Sequence, residues 1–247
     1  MNDLEAFNGL LQRIKSAKTN DELGQALALA CDVMGFQYFA LTHHLAISEP
    51  LAIRLHNYPT AWVRWFDENE LGVSDPVHRA SQVTSIGFAW SDVRTMIKLT
   101  RGDEDVLGRA RREGIGDGFT VPAHVPGEAS GSCSFAVPPT RDMPEEALPA
   151  VQLIGAFAFE AARRLNGVRE VAAGQPPILT DRQRDCVLWA ARGKTDWEIA
   201  QILGLSEETV IQHLKLARER YEVPKRALLA VRALFDGLIT FSDVLRR

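Results

Sequence analysis

The chain has 247 residues, 46% of them hydrophobic and 24% charged, the balance of a globular protein with enough apolar material for two domains or one large one. No stretch reaches the ~18 uninterrupted apolar residues of a membrane span, and the start, MNDLEAFNGLLQRIK, lacks the shape of a signal peptide, so a cytoplasmic protein with no membrane partner is expected. The net charge of −4 is unevenly divided: residues 175–247 carry 12 Lys+Arg against 10 Asp+Glu and the remainder 16 against 22, so nonspecific attraction to nucleic acid is modest.

Residues 3–17 and 20–34 each show helical spacing. Asn20 or Thr19 can cap the second, with Asp21 and Glu22 in its first turn and Gly35 past its end. FQYFALT (36–42) and LAIRLHN (51–57) are strands by composition, and His43-His44 belongs to a strand or its end. Pro59 fits the first turn of a helix running to about Asn69, apolar at Trp62, Trp65 and Phe66. A short helix is predicted over 76–82, FAWSDV (88–93) reads as extended, and 101–113 reads as a charged, exposed helix ending at Gly114. GFTVPAHV (118–125) and SCSFAVP (132–138) are strands flanking a Pro-Gly turn at 126–127. Residues 143–165 read as one long helix, apolar around much of its circumference; it meets either a second subunit or the core.

Hairpin-like strand spacing among helices makes the first domain α+β: an α/β/α sandwich around a mostly antiparallel sheet over residues 1–166. GVREVAAGQPPI (167–178) is a linker, and 179–247 form a second domain. There Thr180 caps DRQRDCVLWAAR, which Gly193 ends, and a last helix spans about 224–239, making a bundle of four. Between them lies TDWEIAQILGLSEETVIQHLKLARERY (195–221). Thr195 and Glu198 form a capping box, small Ala200 suits a close helix crossing, Gly204 suits a left-handed turn, and Ser206 caps the next helix, with Val210 as an apolar plug. This is the helix-turn-helix pattern, whose second helix enters the DNA major groove.

Cys31, Cys133 and Cys186 are far apart and odd in number, so neither a metal site nor a disulfide is expected. No Ser/His/Asp ordering or phosphate loop is present, so neither an enzyme nor a cofactor is expected.

The run LTDRQRDCVLWAARGKTDWEIAQILGLSEETVIQHL resembles the LuxR-type DNA-binding domain, and the likeness extends to GLI at 237–239. NYPTAW (57–62), DPV (75–77), FAWSDV and REGIGDGFTVP (112–122) resemble the autoinducer-binding domain of LuxR-family quorum-sensing regulators. The resemblance implies a homodimer that binds an N-acyl homoserine lactone, reads a double-stranded DNA operator and has RNA polymerase as a further partner. It places Tyr58, Trp62, Phe66, Asp75, Pro76, Trp90, Gly118 and Ser134 at the ligand. Their chemistry agrees: the Trp62 indole can only donate, ionised Asp75 can only accept, and the Tyr58 and Ser134 hydroxyls can donate. Taken singly, the tryptophans would be core residues and Asp75 a turn residue; Gly118 is structural. Phe66 departs from the family's tyrosine, Gln183 from its glutamate and Leu216 from its asparagine. On the recognition helix Ile211, Gln212 and Lys215 share a face for base contacts, while Arg218, Lys194, Thr195 and Thr209 are placed for phosphate. The rival reading is a ligand-independent or partner-regulated DNA-binding protein, or one responding to another small molecule.

Overall fold

A computed structural model describes residues 3–45, 53–125, 128–167 and 177–245. The chain divides into two compact units, Met1–Arg169 and Glu170–Arg247.

The first unit opens with α1 (Asp3–Ser16) and α2 (Asn20–Met34). Thr19 is the cap of α2: its hydroxyl accepts from Glu22 N at 3.1 Å, and Gly35 closes the helix at φ +81°. A five-stranded antiparallel sheet follows, in the order β2-β1-β5-β4-β3. Its strands are β1 (Tyr38–His43), β2 (Arg54–His56), β3 (Phe88–Ala89), β4 (Gly118–Ala123) and β5 (Gly131–Ala136).

Period-two alternation sorts the side chains of this sheet between two buried faces. Phe39, Leu41, Phe119, Val121, Cys133 and Phe135 pack against α1, α2 and α8 (Leu148–Leu165). Gly155 lets α8 lie close to the sheet, since a Cβ there would come within 2.8 Å of Val121. The opposite face carries Ala40, Thr42, Thr120, Ser134 and Ala136. It is covered by α3 (Thr60–Glu68), α4 (Leu71–Ser74), α5 (Pro76–Ser81), α6 (Val93–Met96) and α7 (Arg101–Arg112). The expected three-layer α+β sandwich is therefore present.

Several local expectations change. FAWSDV is not extended throughout: Phe88 and Ala89 pair with Thr120 and Phe119, and Trp90–Asp92 then turn as a 3-10 helix. The register would place Trp90 opposite Gly118, and the indole instead folds over that glycine, where a Cβ would lie 2.6 Å from the ring. Helix α8 begins at Leu148, not at 143, after a 3-10 turn at Glu145–Ala147. Pro149 is the reason: it suits a first turn but would clash with a carbonyl four residues back if the helix had begun earlier. Helix α8 buries Val151, Ile154, Ala158 and Phe159 in the core, while Leu153 and Phe157 stay outward. Helix α7 is exposed on one side only, because Asp103, Val106 and Ala110 are buried. Pro59 sits just before α3 as its N-cap rather than in its first turn, and the second strand is confined to Arg54–His56. The turn at 126–127 and most of the linker, 168–176, lie outside the described residues.

Among its described residues the second unit shows five helices where four were expected: α9 (Asp181–Ala191), α10 (Asp196–Leu203), α11 (Glu207–Arg220), α12 (Arg226–Phe235) and α13 (Phe241–Leu245). The predicted helix over 224–239 ends early, at Gly237, φ +69°. There Gly237 N donates to Leu234 O at 3.1 Å and Leu238 N to Ala233 O at 2.9 Å, a Schellman end. Thr240 and Asp243 then form a capping box that starts α13.

Candidate functional site

Ionisable, aromatic and hydroxyl side chains meet on the side of the sheet covered by α3–α7. A cavity there holds about 700 Å3 of space between atoms, its open mouth included, and six of the expected ligand residues line it: Tyr58, Trp62, Phe66, Asp75, Trp90 and Ser134. Pro76 and Gly118 do not line it; Pro76 is buried in the first turn of α5, and Gly118 lies under the Trp90 ring.

Each lining side chain is held by local structure. Trp62 is 6% exposed, with Trp65 and Phe66 ring centroids 5.5 and 5.7 Å away. Asp75 is buried as the N-cap of α5, where its Oδ1 accepts from Val77 N at 2.8 Å and His78 N at 2.9 Å. Both bonds use one oxygen, which orients the carboxylate while Oδ2 takes neither. Arg79 Nη1 donates to both oxygens of Asp103, at 2.8 and 2.9 Å, tying α5 to α7. Tyr58 packs on Tyr38 and His56 at 6.0 and 6.3 Å. Burial, and then the Asp75 charge, raise the Tyr58 phenol above its usual range, so it stays a neutral donor. Among the described residues no protein group bonds the Tyr58 hydroxyl or the Trp62 indole N–H.

Trp90 Nε1 donates to Thr120 Oγ1 at 2.8 Å, and Thr120 Oγ1 lies 2.8 Å from Ser134 Oγ. When Thr120 donates onward, the Ser134 hydroxyl is left to donate into the cavity. The sequence reading missed Thr120. It also missed Thr42, Arg54, His56 and His78, all of which line the cavity. Two signals for them were present: alternation puts Thr42 on the Ala40 face of β1, and His78 follows Asp75 by three residues, one helical turn. Replacing Gly118 by alanine drives a Cβ into the Trp90 ring. We expect a loss of about 1–3 kcal/mol in urea unfolding and a weakened Trp90–Thr120 contact; unchanged stability would contradict this geometry.

Beside the cavity His44 is buried, its Nε2 bonded to Ser132 Oγ at 2.9 Å and its ring stacked on His78 at 4.0 Å. Burial, then the neighbouring His78, push His44 down to about 2. In the unfolded chain a histidine titrates near 6.5. Between those values the unfolded state binds the extra proton, so stability is full above about pH 6.5 and falls as pH drops. The expected slope approaches ~1.4 kcal/mol per pH unit, measured by urea melts from pH 7 to pH 5. His44→Gln is expected to flatten it.

In the second unit the Thr195 box is complete: Thr195 N donates to Glu198 Oε2 at 2.8 Å, and Glu198 N to Thr195 Oγ1 at 3.2 Å. The Thr195 N–H donation, followed by Lys194 at 2.9 Å and the Thr195 hydroxyl, draws the Glu198 carboxyl down to about 2. Gly204 turns the chain at φ +65°, and Ala200 and Val210 are buried at the helix crossing. Ser206 Oγ accepts from Thr209 N at 3.1 Å to start α11. Ile211, Gln212 and Lys215 are exposed on α11, and Thr195 is exposed at the start of α10. Lys194, Thr209 and Arg218 are half-exposed; Arg218 also donates to Pro224 O at 3.3 Å. Gln183 keeps a glutamate-like role, boxing Thr180 and accepting from Arg220 at 2.8 Å. Among the described residues no helix is long and apolar enough to cross a membrane, and no acid–histidine–cysteine group is arranged for a metal.

Comparison with known proteins agrees with both units. Residues 19–162 match the autoinducer binding domain family, and residues 177–233 match the bacterial regulatory proteins of the luxR family. The chain is 27% identical to the transcriptional activator protein AhyR of Aeromonas hydrophila, over 93% of this chain and 90% of that one. It is 26% identical to the transcriptional activator protein LuxR of Aliivibrio fischeri, over 96% of each. A crystal structure of Escherichia coli SdiA aligns over 99% of this chain and 100% of its own, with a TM-score of 0.63 and 25% identity. A second SdiA structure, in complex with octanoyl-rac-glycerol, aligns over 97% and 98% with the same score and 26% identity. An autoinducer-binding unit followed by a helix-turn-helix unit, matched along nearly the whole chain, makes this protein a member of the LuxR family of quorum-sensing transcriptional regulators.

Proposed function

We propose that the protein is an N-acyl homoserine lactone receptor whose occupancy controls sequence-specific DNA binding by a homodimer in the cytoplasm. The observation that carries this reading is the meeting of Trp62, Asp75, Tyr58 and Ser134 in one largely apolar cavity. The ligand offers two carbonyls, one amide N–H and an apolar tail, which calls for donors, one acceptor and greasy walls. Trp62 N–H donates to the lactone carbonyl, and Asp75 Oδ2 accepts the amide N–H. The Tyr58 and Ser134 hydroxyls donate to the acyl carbonyl. Trp90 covers the lactone ring, and Phe66, lacking a hydroxyl, lines the acyl side. Pro76 and Gly118 support these residues without touching the ligand.

On DNA, Gln212 reads adenine, Lys215 reads guanine and Ile211 meets a thymine methyl. Arg218, Lys194, Thr195 and Thr209 hold phosphates. The Lys194–Glu198 pair is half-exposed and weak, so it yields to a phosphate at little cost. The protein acts as a regulator and not as an enzyme, with RNA polymerase as a further partner at the promoter.

A second reading rests on the SdiA complex with octanoyl-rac-glycerol: an acyl compound without a lactone occupies a relative of the same fold. Thermal unfolding of the full chain with acyl lactones of graded length and with octanoyl-glycerol decides between them. At a hundredfold excess over Kd, a bound ligand adds ~2.7 kcal/mol, roughly 5–10 °C. Lactones are expected to give that shift. A shift with the glyceride alone favours the second reading, and none with any acyl compound favours ligand-independent DNA binding.

A further inference from the structure

The end of the cavity beyond Ser134 is not built for a hydrocarbon. Along β1, Thr42 stands two residues past Ala40 on the same face, about 7 Å further along the strand. Its Cα partners are Arg54 on β2 and Ser132 on β5, just as those of Ala40 are His56 and Ser134. Thr42 and Arg54 both line the cavity. Ser132 Oγ is bonded to His44 Nε2, and the His44 ring stacks on His78, which lines the cavity from α5. One circuit of neighbours therefore brings Thr42, Arg54 and His78 to the same end.

The bonding state of these groups is informative. His78 Nδ1 lies 2.9 Å from Gly72 O, and a carbonyl only accepts, so Nδ1 carries the proton. In the neutral ring Nε2 is then a bare acceptor, and no described protein group donates to it. His44, by contrast, uses both nitrogens, on Ser132 and at 3.5 Å on Ser81. Arg54 gives one Nη to Asp67 at 2.5 Å and keeps its other N–H groups. The Thr42 hydroxyl has no described partner and can donate or accept. The end of the cavity thus offers an acceptor at His78 and donors at Arg54 and Thr42. Thr42 and His78 are half-buried there and Arg54 reaches solvent, so a methyl at this end would leave the two half-buried groups without a partner.

We propose that this end is a polar subsite selecting an acyl chain that carries a hydroxyl near its far terminus, a group that donates to His78 Nε2 and accepts from Thr42 or Arg54. The inference deepens the lactone-receptor reading and depends on it. It assigns Thr42, Arg54 and His78 to chain specificity rather than to the lactone head.

Calorimetric titration of the full-length protein tests it, with hexanoyl and octanoyl homoserine lactones against their terminally hydroxylated counterparts. The expected result is roughly tenfold tighter binding of the hydroxylated member of the better pair, the worth of one to two net hydrogen bonds. Thr42→Val, which keeps shape, and His78→Phe, which keeps the ring stack on His44, are each expected to reduce that preference at least severalfold. Equal or weaker binding of both hydroxylated lactones by the unmodified protein overturns the subsite and leaves the lactone-receptor reading standing. No binding of any of the four sinks both. The comparison on the unmodified protein decides the matter even if a variant fails to fold.

Discussion

Replacing Asp75 by asparagine is expected to leave the first unit folded and to weaken acyl-lactone binding by roughly 10–100-fold, the worth of a hydrogen bond to a charged group. The distinction rests on the two oxygens. Oδ1 caps α5 through Val77 N and His78 N, and asparagine is as good a cap as aspartate. With its oxygen so engaged, the asparagine amide presents N–H groups to the cavity, and donor meets donor at the ligand amide. Asp75→Ala is the control: it removes the cap as well and should cost about 1 kcal/mol of stability in addition. Calorimetry on the asparagine variant, beside thermal unfolding without ligand, separates the two roles. Unchanged lactone affinity with an unchanged melting temperature would remove Asp75 from the ligand.

Removing Arg163 is expected to produce the largest loss of stability of any variant considered. Arg163 lies in the last turn of α8, with its side chain 10% exposed, and pairs with Glu128, whose side chain is 4% exposed. Its Nε donates to Glu128 Oε2 at 2.5 Å, a second nitrogen reaches the other oxygen of the same carboxylate, and Glu160 pairs with it one turn back. Hydrogen bonding to Glu128 raises the Arg163 pKa further, and the planar, two-pronged contact suits only a guanidinium. Arg163→Met strands a buried carboxylate at a cost of about 3–5 kcal/mol, or roughly 10 °C in melting temperature. Replacing both, Arg163→Met with Glu128→Leu, should recover most of that loss, since a buried pair is worth little against an apolar pair of similar volume. A single variant that melts within a degree or two of the parent would show that water reaches Glu128 freely.

Both predictions depend on contacts of different reach, and so did what the sequence revealed. The cap at Thr180 and the capping box at Thr195 were legible because each is closed within three residues. The box at Thr240 follows the same rule, lies just past the helix expected over 224–239, and was overlooked. The late start of α8 was missed although its cause is equally local, since Pro149 forbids the longer helix. The extended reading of FAWSDV failed for a different reason. Whether Trp90 continues β3 depends on Gly118, a residue of another strand, and on the space left by its missing Cβ.

The amino-acid sequence by itself determined the α+β first unit and the helix-turn-helix, through turn chemistry and helical and strand periodicity written in near neighbours, while the family resemblance singled out six side chains that line one cavity. Only the tertiary structure decided that Thr42 and Arg54 stand side by side across a strand pair, that His44 reaches Ser132 across 88 residues, and that Glu128 meets Arg163 across 35. Strand register and helix docking set those meetings, and they are fixed by the packing of the whole core rather than by any local pattern.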